Sequence, residues 1–112
     1  MDSKPTVHYE DCLKLDMRVG TIKSADTVLD SKKLLRLMVD FCAFERQVVA
    51  GIAKDYTDPV ALVGKHAIFL INLEPRRLAG LESQAMILVA ATDDHAVILQ
   101  PSVPMPSGSS VQ

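Results

Sequence analysis

The sequence predicts a small all-β domain: a five-stranded Greek-key barrel of the OB type, with one short helix between strands 3 and 4 and short terminal extensions. Three observations predict it. The chain reads strand, strand, strand, short helix, strand, strand, with a final short strand. Its first strand changes phase midway, as a strand serving two sides of a barrel must. Its one helical signal lies between the third and fourth strands. An SH3-like barrel and a small sandwich are the alternative architectures.

Residues 13–19 alternate, with Leu13, Leu15, Met17 and Val19 apolar and Lys14, Asp16 and Arg18 between them. That is the period of a half-buried strand. Gly20 interrupts, and the later apolar positions Ile22 and Val28 are out of phase, which predicts a bulge or sharp bend. "DSKK" (30–33) is a polar turn. "LLRLMVDF" (34–41) and "ERQVVAGI" (45–52) form an antiparallel hairpin across 42–44. Asp58 suits a helix N-cap, Pro59 the first helical position and Gly64 the stop, so "PVALV" makes a helix of one to two turns. "KHAIFLINL" (65–73), "AMILVAAT" (85–92) and "AVILQP" (96–101) are strands, with a turn at 93–95. The sequence therefore divides into an N-terminal extension (1–12), a barrel with its final strand (13–101) and a Pro/Ser-rich tail (102–112), all in one domain (1–112). The tail has no pattern of its own and is expected to be disordered or laid along a partner surface.

The 112 residues suffice for one core and not for two. No apolar run approaches the ~18 residues that span a bilayer, and the N-terminus lacks the layout of a secretory signal. A soluble, cytoplasmic protein is expected. Cys12 and Cys42 do not make a disulfide framework and read as small buried or sub-surface thiols. His8, His66 and His95 lack ligand spacing, so no metal site and no cofactor is expected. No nucleophile has a base, no glycine-rich phosphate loop is present, and the only adjacent acids form a turn, which reads as a protein that is not an enzyme.

The formal net charge is −2, which argues against a generally basic nucleic-acid binder. The distribution says more. Residues 31–54 carry five cations (Lys32, Lys33, Arg36, Arg46, Lys54) against Asp40 and Glu45, and 62–88 carry three against two. Positive charge is thus concentrated mid-chain, which allows one local basic face.

"LDMRVGTI", "RQVVAGI" and "NLEPRRLAGLESQAMIL" together resemble the structure-specific tRNA-binding OB domain. That module occurs as a stand-alone dimeric tRNA-binding protein, at the C-terminus of many methionyl-tRNA synthetases and in cofactors of eukaryotic synthetase complexes. The likeness runs from about Tyr9 to Pro101. "LDSKKLL" departs from the family's "HPNADKLL", though Lys32 and Lys33 keep that loop basic. Ala85 and Ala50 replace a family glycine and serine.

The resemblance implies a non-catalytic protein that recognises folded tRNA by shape and phosphate contacts, as a homodimer, with a methionyl-tRNA synthetase as a possible partner in trans. The implied contacts are Lys32, Lys33, Arg36, Arg46, Lys54, Arg76, Arg77, Ser83 and Met86. Arginine's forked donors suit phosphate oxygens, and Ser83 and Met86 match family positions implicated in tRNA contact. On a strand Arg76 and Arg77 point to opposite sides. Both reach RNA, or Arg77 packs inward against a carboxylate and Arg76 alone is free. Asn72 reads as structural. Three Phe, two Tyr and no Trp leave few stacking platforms, so backbone and shape recognition fits better than splayed bases. Val97 to Leu99, Val103 and Met105 are candidates for an isologous interface. Two other functions remain open: a secretion chaperone of the CsaA type, which shares the "PRR-AG" segment, and an interaction module that has lost RNA binding.

Overall fold

The computed structural model describes residues 2–112. It is mostly β, a nearly closed five-stranded barrel of the OB-like kind with one small helix at its N-terminal side. The main sheet runs β3 (Glu45–Ala50), β2 (Leu35–Asp40), β1 (Met17–Thr27), β4 (His66–Leu70) and β7 (Met86–Ile87). All of these pairs are antiparallel.

β1 does the work of two strands. Met17 to Thr21 pair with Leu70 to His66 of β4, and Thr21 to Thr27 pair with Asp40 to Leu35 of β2. The two pairings meet at Thr21, and the β1–β2 register then shifts between Ile22 and Ser24, so Lys23 is the bulged residue. The sequence places that break at Gly20. Gly20 instead serves close packing: a Cβ there would lie 2.5 Å from Val39 Cγ1 and 2.8 Å from Phe41.

The core fills the barrel with Ile22, Leu35, Leu37, Val39, Val48, Leu62 and Phe69, all fully buried. Phe41 meets Phe69 edge to face at 5.3 Å. The helix expected at 59–63 is a 3-10 turn, Pro59–Leu62, whose Leu62 is fully buried. Asp58 makes no side-chain cap there. The stop at Gly64 is taken with φ +88°, and its N–H donates to Ile22 O at 2.8 Å.

Several expectations change at the edges. Leu13 lies not in a strand but in a short helix, α1 (Tyr9–Leu13), and β1 begins at Met17. Leu13 and Leu15 are exposed, Leu13 on a fully solvated turn of helix and Leu15 in the link from it to β1. The 85–92 strand is divided into β7 and β8 (Val89–Ala91), and β8 pairs with β9 (Ala96–Ile98). Between β4 and β7 a separate hairpin forms, β5 (Arg76–Leu78) with β6 (Leu81–Ser83). The tail returns to the barrel. Gly108 N–H donates to Val19 O at 2.7 Å, Val19 N–H to Ser109 O at 2.9 Å, and β10 (Ser110–Val111) pairs with Met17 and Arg18. Both cysteines are exposed: Cys12 sits on α1, and Cys42 in the β2–β3 turn with φ +77°.

Candidate nucleic-acid interface

The β5–β6 hairpin is the centre of the site. Its two-residue turn, Ala79-Gly80, has positive φ at both positions (+50° and +79°), the geometry that matches the twist of a tight hairpin. Arg76 stands opposite Ser83 and Arg77 opposite Glu82. Paired residues share a face and neighbours alternate, so the two arginines leave opposite faces of the hairpin. Arg77 donates from Nη1 to Gly80 O at 3.1 Å, across its own turn. Arg76 is exposed and lines a cavity.

Ser83 and Arg46 are committed to holding the hairpin in place. Ser83 is buried, and its Oγ accepts from Val49 N–H at 3.0 Å and donates to Ala85 O at 3.0 Å. Gln47 N–H donates to Gln84 Oε1 (2.9 Å), Gln84 N–H to Gln47 O (2.8 Å), and Gln47 Nε2 to Glu82 O (2.8 Å). These bonds close the barrel between β3 and residues 82–85, where side chains substitute for part of a strand ladder. Arg46 donates to Ile71 O at 2.9 Å and Gln84 O at 3.1 Å, with its guanidinium 4.8 Å from the Phe44 ring centroid. A buried N–H left unpaired is costly, so the Val49–Ser83 bond holds the seam before anything binds. Asn72 has the same kind of role. It accepts from Asp16 N–H at 2.8 Å and donates to Lys14 O at 2.6 Å.

The cavity has a volume of about 410 Å3, and Leu34, Leu73, Leu78 and Met86 line it together with Gly51, Glu74 and Arg76. Ser83 also contributes to its lining, and Met86 is 43% exposed. The remaining predicted residues distribute around it. Lys33 adjoins Leu34, and its carbonyl accepts from Ala53 N–H at 3.1 Å, which sets the loop of Lys32 and Lys33 beside the loop of Lys54. Lys32, Lys33 and Lys54 are all exposed. Arg36 is exposed on β2, opposite the cavity-lining Val49, and lies 3.5 Å from Asp26. Thus Arg76, Ser83 and Met86 meet at one cavity, and Lys32, Lys33, Arg36 and Lys54 belong to elements bordering it. Arg77 faces away, and Arg46 lies in the seam.

Sequence reasoning missed the cavity walls Leu34, Leu73 and Leu78, and the latch beside them. Asp55 accepts from Ala96 N–H at 2.7 Å and pairs with His95 Nδ1 at 2.8 Å, and Tyr56 Oη accepts from Ile98 N–H at 3.0 Å. The His95 hydrogen bond, then that from Ala96, holds the Asp55 carboxyl below its ordinary value. The one local signal for the hairpin was "LAGL", but Ala-Gly is a weak hairpin dipeptide beside Asn-Gly or Asp-Gly. Among the described residues no group of three or more His, Cys, Asp or Glu is placed to hold a metal, and no helix is long and apolar enough to cross a membrane.

Residues 17–110 match the family described as "Putative tRNA binding domain". The chain belongs to this family of tRNA-binding domains. Within it, the chain is 43% identical over 111 residues to the methionine–tRNA ligase of Archaeoglobus fulgidus, covering 99% of this chain and 17% of the ligase. The chain therefore spans about a sixth of the ligases it resembles, and it corresponds to a tRNA-binding module, not to a catalytic domain. Among solved structures, a MetRS-related protein from Pyrococcus horikoshii superimposes with TM-score 0.89 at 36% identity, covering 97% of this chain and all of that one. The chaperone CsaA of Bacillus anthracis superimposes with TM-score 0.88 at 31% identity, covering 96% and 100%.

Proposed function

We propose that this chain is a non-catalytic binder of folded tRNA that grips phosphates through the cations around the β5–β6 hairpin, and that it assists a methionyl-tRNA synthetase in trans. The carrying observation is Arg76, an exposed guanidinium at the edge of the cavity on a hairpin fixed by the Ser83 and Arg46 hydrogen bonds. A rigid, forked donor suits a phosphate held at one place. Lys32, Lys33, Arg36 and Lys54 add charge from neighbouring elements, while Arg77 contacts RNA only where the strand wraps the hairpin. Ser83 and Arg46 act by positioning. On this reading its place of work is the cytoplasm, where tRNA is charged.

Mobility-shift titrations against folded and heat-unfolded tRNA test the reading. Folded tRNA binds more tightly, and Kd rises steeply with salt. Arg76→Ala weakens binding and lowers the slope of log Kd against log salt by about 1, the signature of one lost phosphate contact. Equal binding of both RNAs, or an unchanged slope in the variant, sinks it.

A second reading rests on the apolar cavity and the likeness to CsaA: a chaperone that holds unfolded polypeptide. Suppression of client aggregation that excess tRNA does not compete would favour it.

A further inference from the structure

The cavity behind Arg76 has no part in a purely phosphate-gripping surface. We infer that it receives one unstacked nucleobase of the bound RNA while Arg76 holds the adjoining phosphate. This deepens the tRNA-binding reading and rests on it.

At about 410 Å3 the cavity falls in the range of sites that engulf small molecules, and it is larger than a surface dimple between side chains. Its walls are aliphatic and thioether groups, Leu34, Leu73, Leu78 and Met86. A base can lie flat between such walls, and methionine sulfur is favourable against an aromatic ring. No aromatic residue lines it, so the scarcity of stacking platforms does not bar one base from a slot made of Leu and Met. Its edge carries the two groups a nucleotide needs. Arg76 supplies the phosphate contact, and the Glu74 carboxylate, also in the lining, accepts from the N–H groups of a base's Watson–Crick edge. Lys32, Lys33 and Lys54, exposed on the loops beside the cavity, favour a polyanion as its occupant. The Ser83 hydroxyl is engaged with Val49 and Ala85, which leaves the floor apolar.

Gly51 gives a test that spares the fold. It lines the cavity, its φ is not in the left-handed region, and a Cβ added there meets nothing within 4 Å. Gly51→Leu therefore adds a bulky apolar group at the cavity without a clash at its Cβ and without removing a cation. The RNA probes are folded tRNA, a short blunt RNA duplex, and the same duplex with one unpaired 2-aminopurine nucleotide. For the wild-type chain the 2-aminopurine fluorescence changes on binding, and the bulged duplex binds more tightly than the blunt one. Gly51→Leu removes the fluorescence change and weakens tRNA and the bulged duplex about tenfold. It leaves the blunt duplex and the salt slope unchanged. Arg76→Ala does the reverse to the slope.

If Gly51→Leu binds every RNA as the wild type does, the base pocket is overturned and phosphate gripping stands. If the variant keeps RNA binding but loses binding of a reduced, alkylated unfolded polypeptide, the cavity is a peptide site and the inference is likewise overturned. If the wild type binds none of the RNAs, the tRNA reading itself fails. Circular dichroism and the thermal midpoint of Gly51→Leu establish that the variant is folded.

Discussion

Ser83 shows how a residue can matter to binding without touching a ligand. Its hydroxyl occupies the place of a strand's backbone group, and removing it strands the Val49 N–H in a buried seam. Ser83→Ala is expected to cost about 1–3 kcal/mol of stability, read as a lowered urea midpoint. Because the hairpin carrying Arg76 loosens with it, tRNA affinity falls while the salt slope stays put. A reduced slope would show instead that Ser83 contacts phosphate itself. Asp55 is the other residue whose environment predicts a measurement. Its carboxyl is held below the ordinary 3.8 by the His95 and Ala96 hydrogen bonds. The ionised form is therefore favoured in the folded state. That contribution is complete above 3.8 and is lost as pH falls through the lower folded value. Asp55→Asn should flatten the acid limb of the stability curve below about pH 4. An acid limb identical to wild type would show that the latch adds no pH-linked stability.

At the scale of elements, the β5–β6 hairpin is positioned by others more than by its own sequence. Ala79 holds φ +50°, a conformation that L-residues with a Cβ enter at a cost of roughly 1–2 kcal/mol. Asparagine tolerates it better and pairs with the following Gly80 in the preferred hairpin turn. Ala79→Asn should raise the thermal midpoint, equivalent to about 1 kcal/mol, and leave Arg76 in place. A fall in the midpoint would mean that the Ala79 side chain is packed and not merely strained. This hairpin was illegible in the sequence because its turn dipeptide is weak and its strands are three residues each. The phase flip in β1 was legible but misplaced. Gly20 looks like a bulge residue, while the register change comes three residues later at Lys23, and only the crowding of Val39, Phe41 and Phe69 explains why Gly20 must lack a side chain. The strands at 34–41 and 45–52 were readable within a residue or two, because their alternation is set by burial on one face.

For the whole molecule, the homodimer implied by the family resemblance makes a testable prediction. Val97 (51% exposed), Leu99 (41%), Val103 (62%) and Met105 (41%) are large apolar side chains left in solvent near the C-terminus. A homodimer built there would bring two cation sets to one tRNA and raise avidity without new contacts. Sedimentation equilibrium of the wild type and of Val97→Glu with Val103→Glu is the check. A dimer turning into a folded monomer with weaker tRNA binding is expected, and a wild type that sediments as a monomer ends the idea. The tail that carries Val103 and Met105 had no readable structure, yet it lies across β1, with Gly108 at φ +88° where a Cβ would sit 2.5 Å from Phe41 O. Its order comes from hydrogen bonds to residues some ninety positions earlier, which no local pattern records. By itself the sequence determined what local chemistry and periodicity can carry: a small all-β barrel, a mid-chain concentration of cations, and the motif set of a tRNA-binding domain. Tertiary structure alone decided which of those residues are free. It committed Ser83 and Arg46 to the seam. It also set Arg76 and Met86 at one cavity, because burial and hydrogen-bond partners depend on contacts between segments distant in the chain.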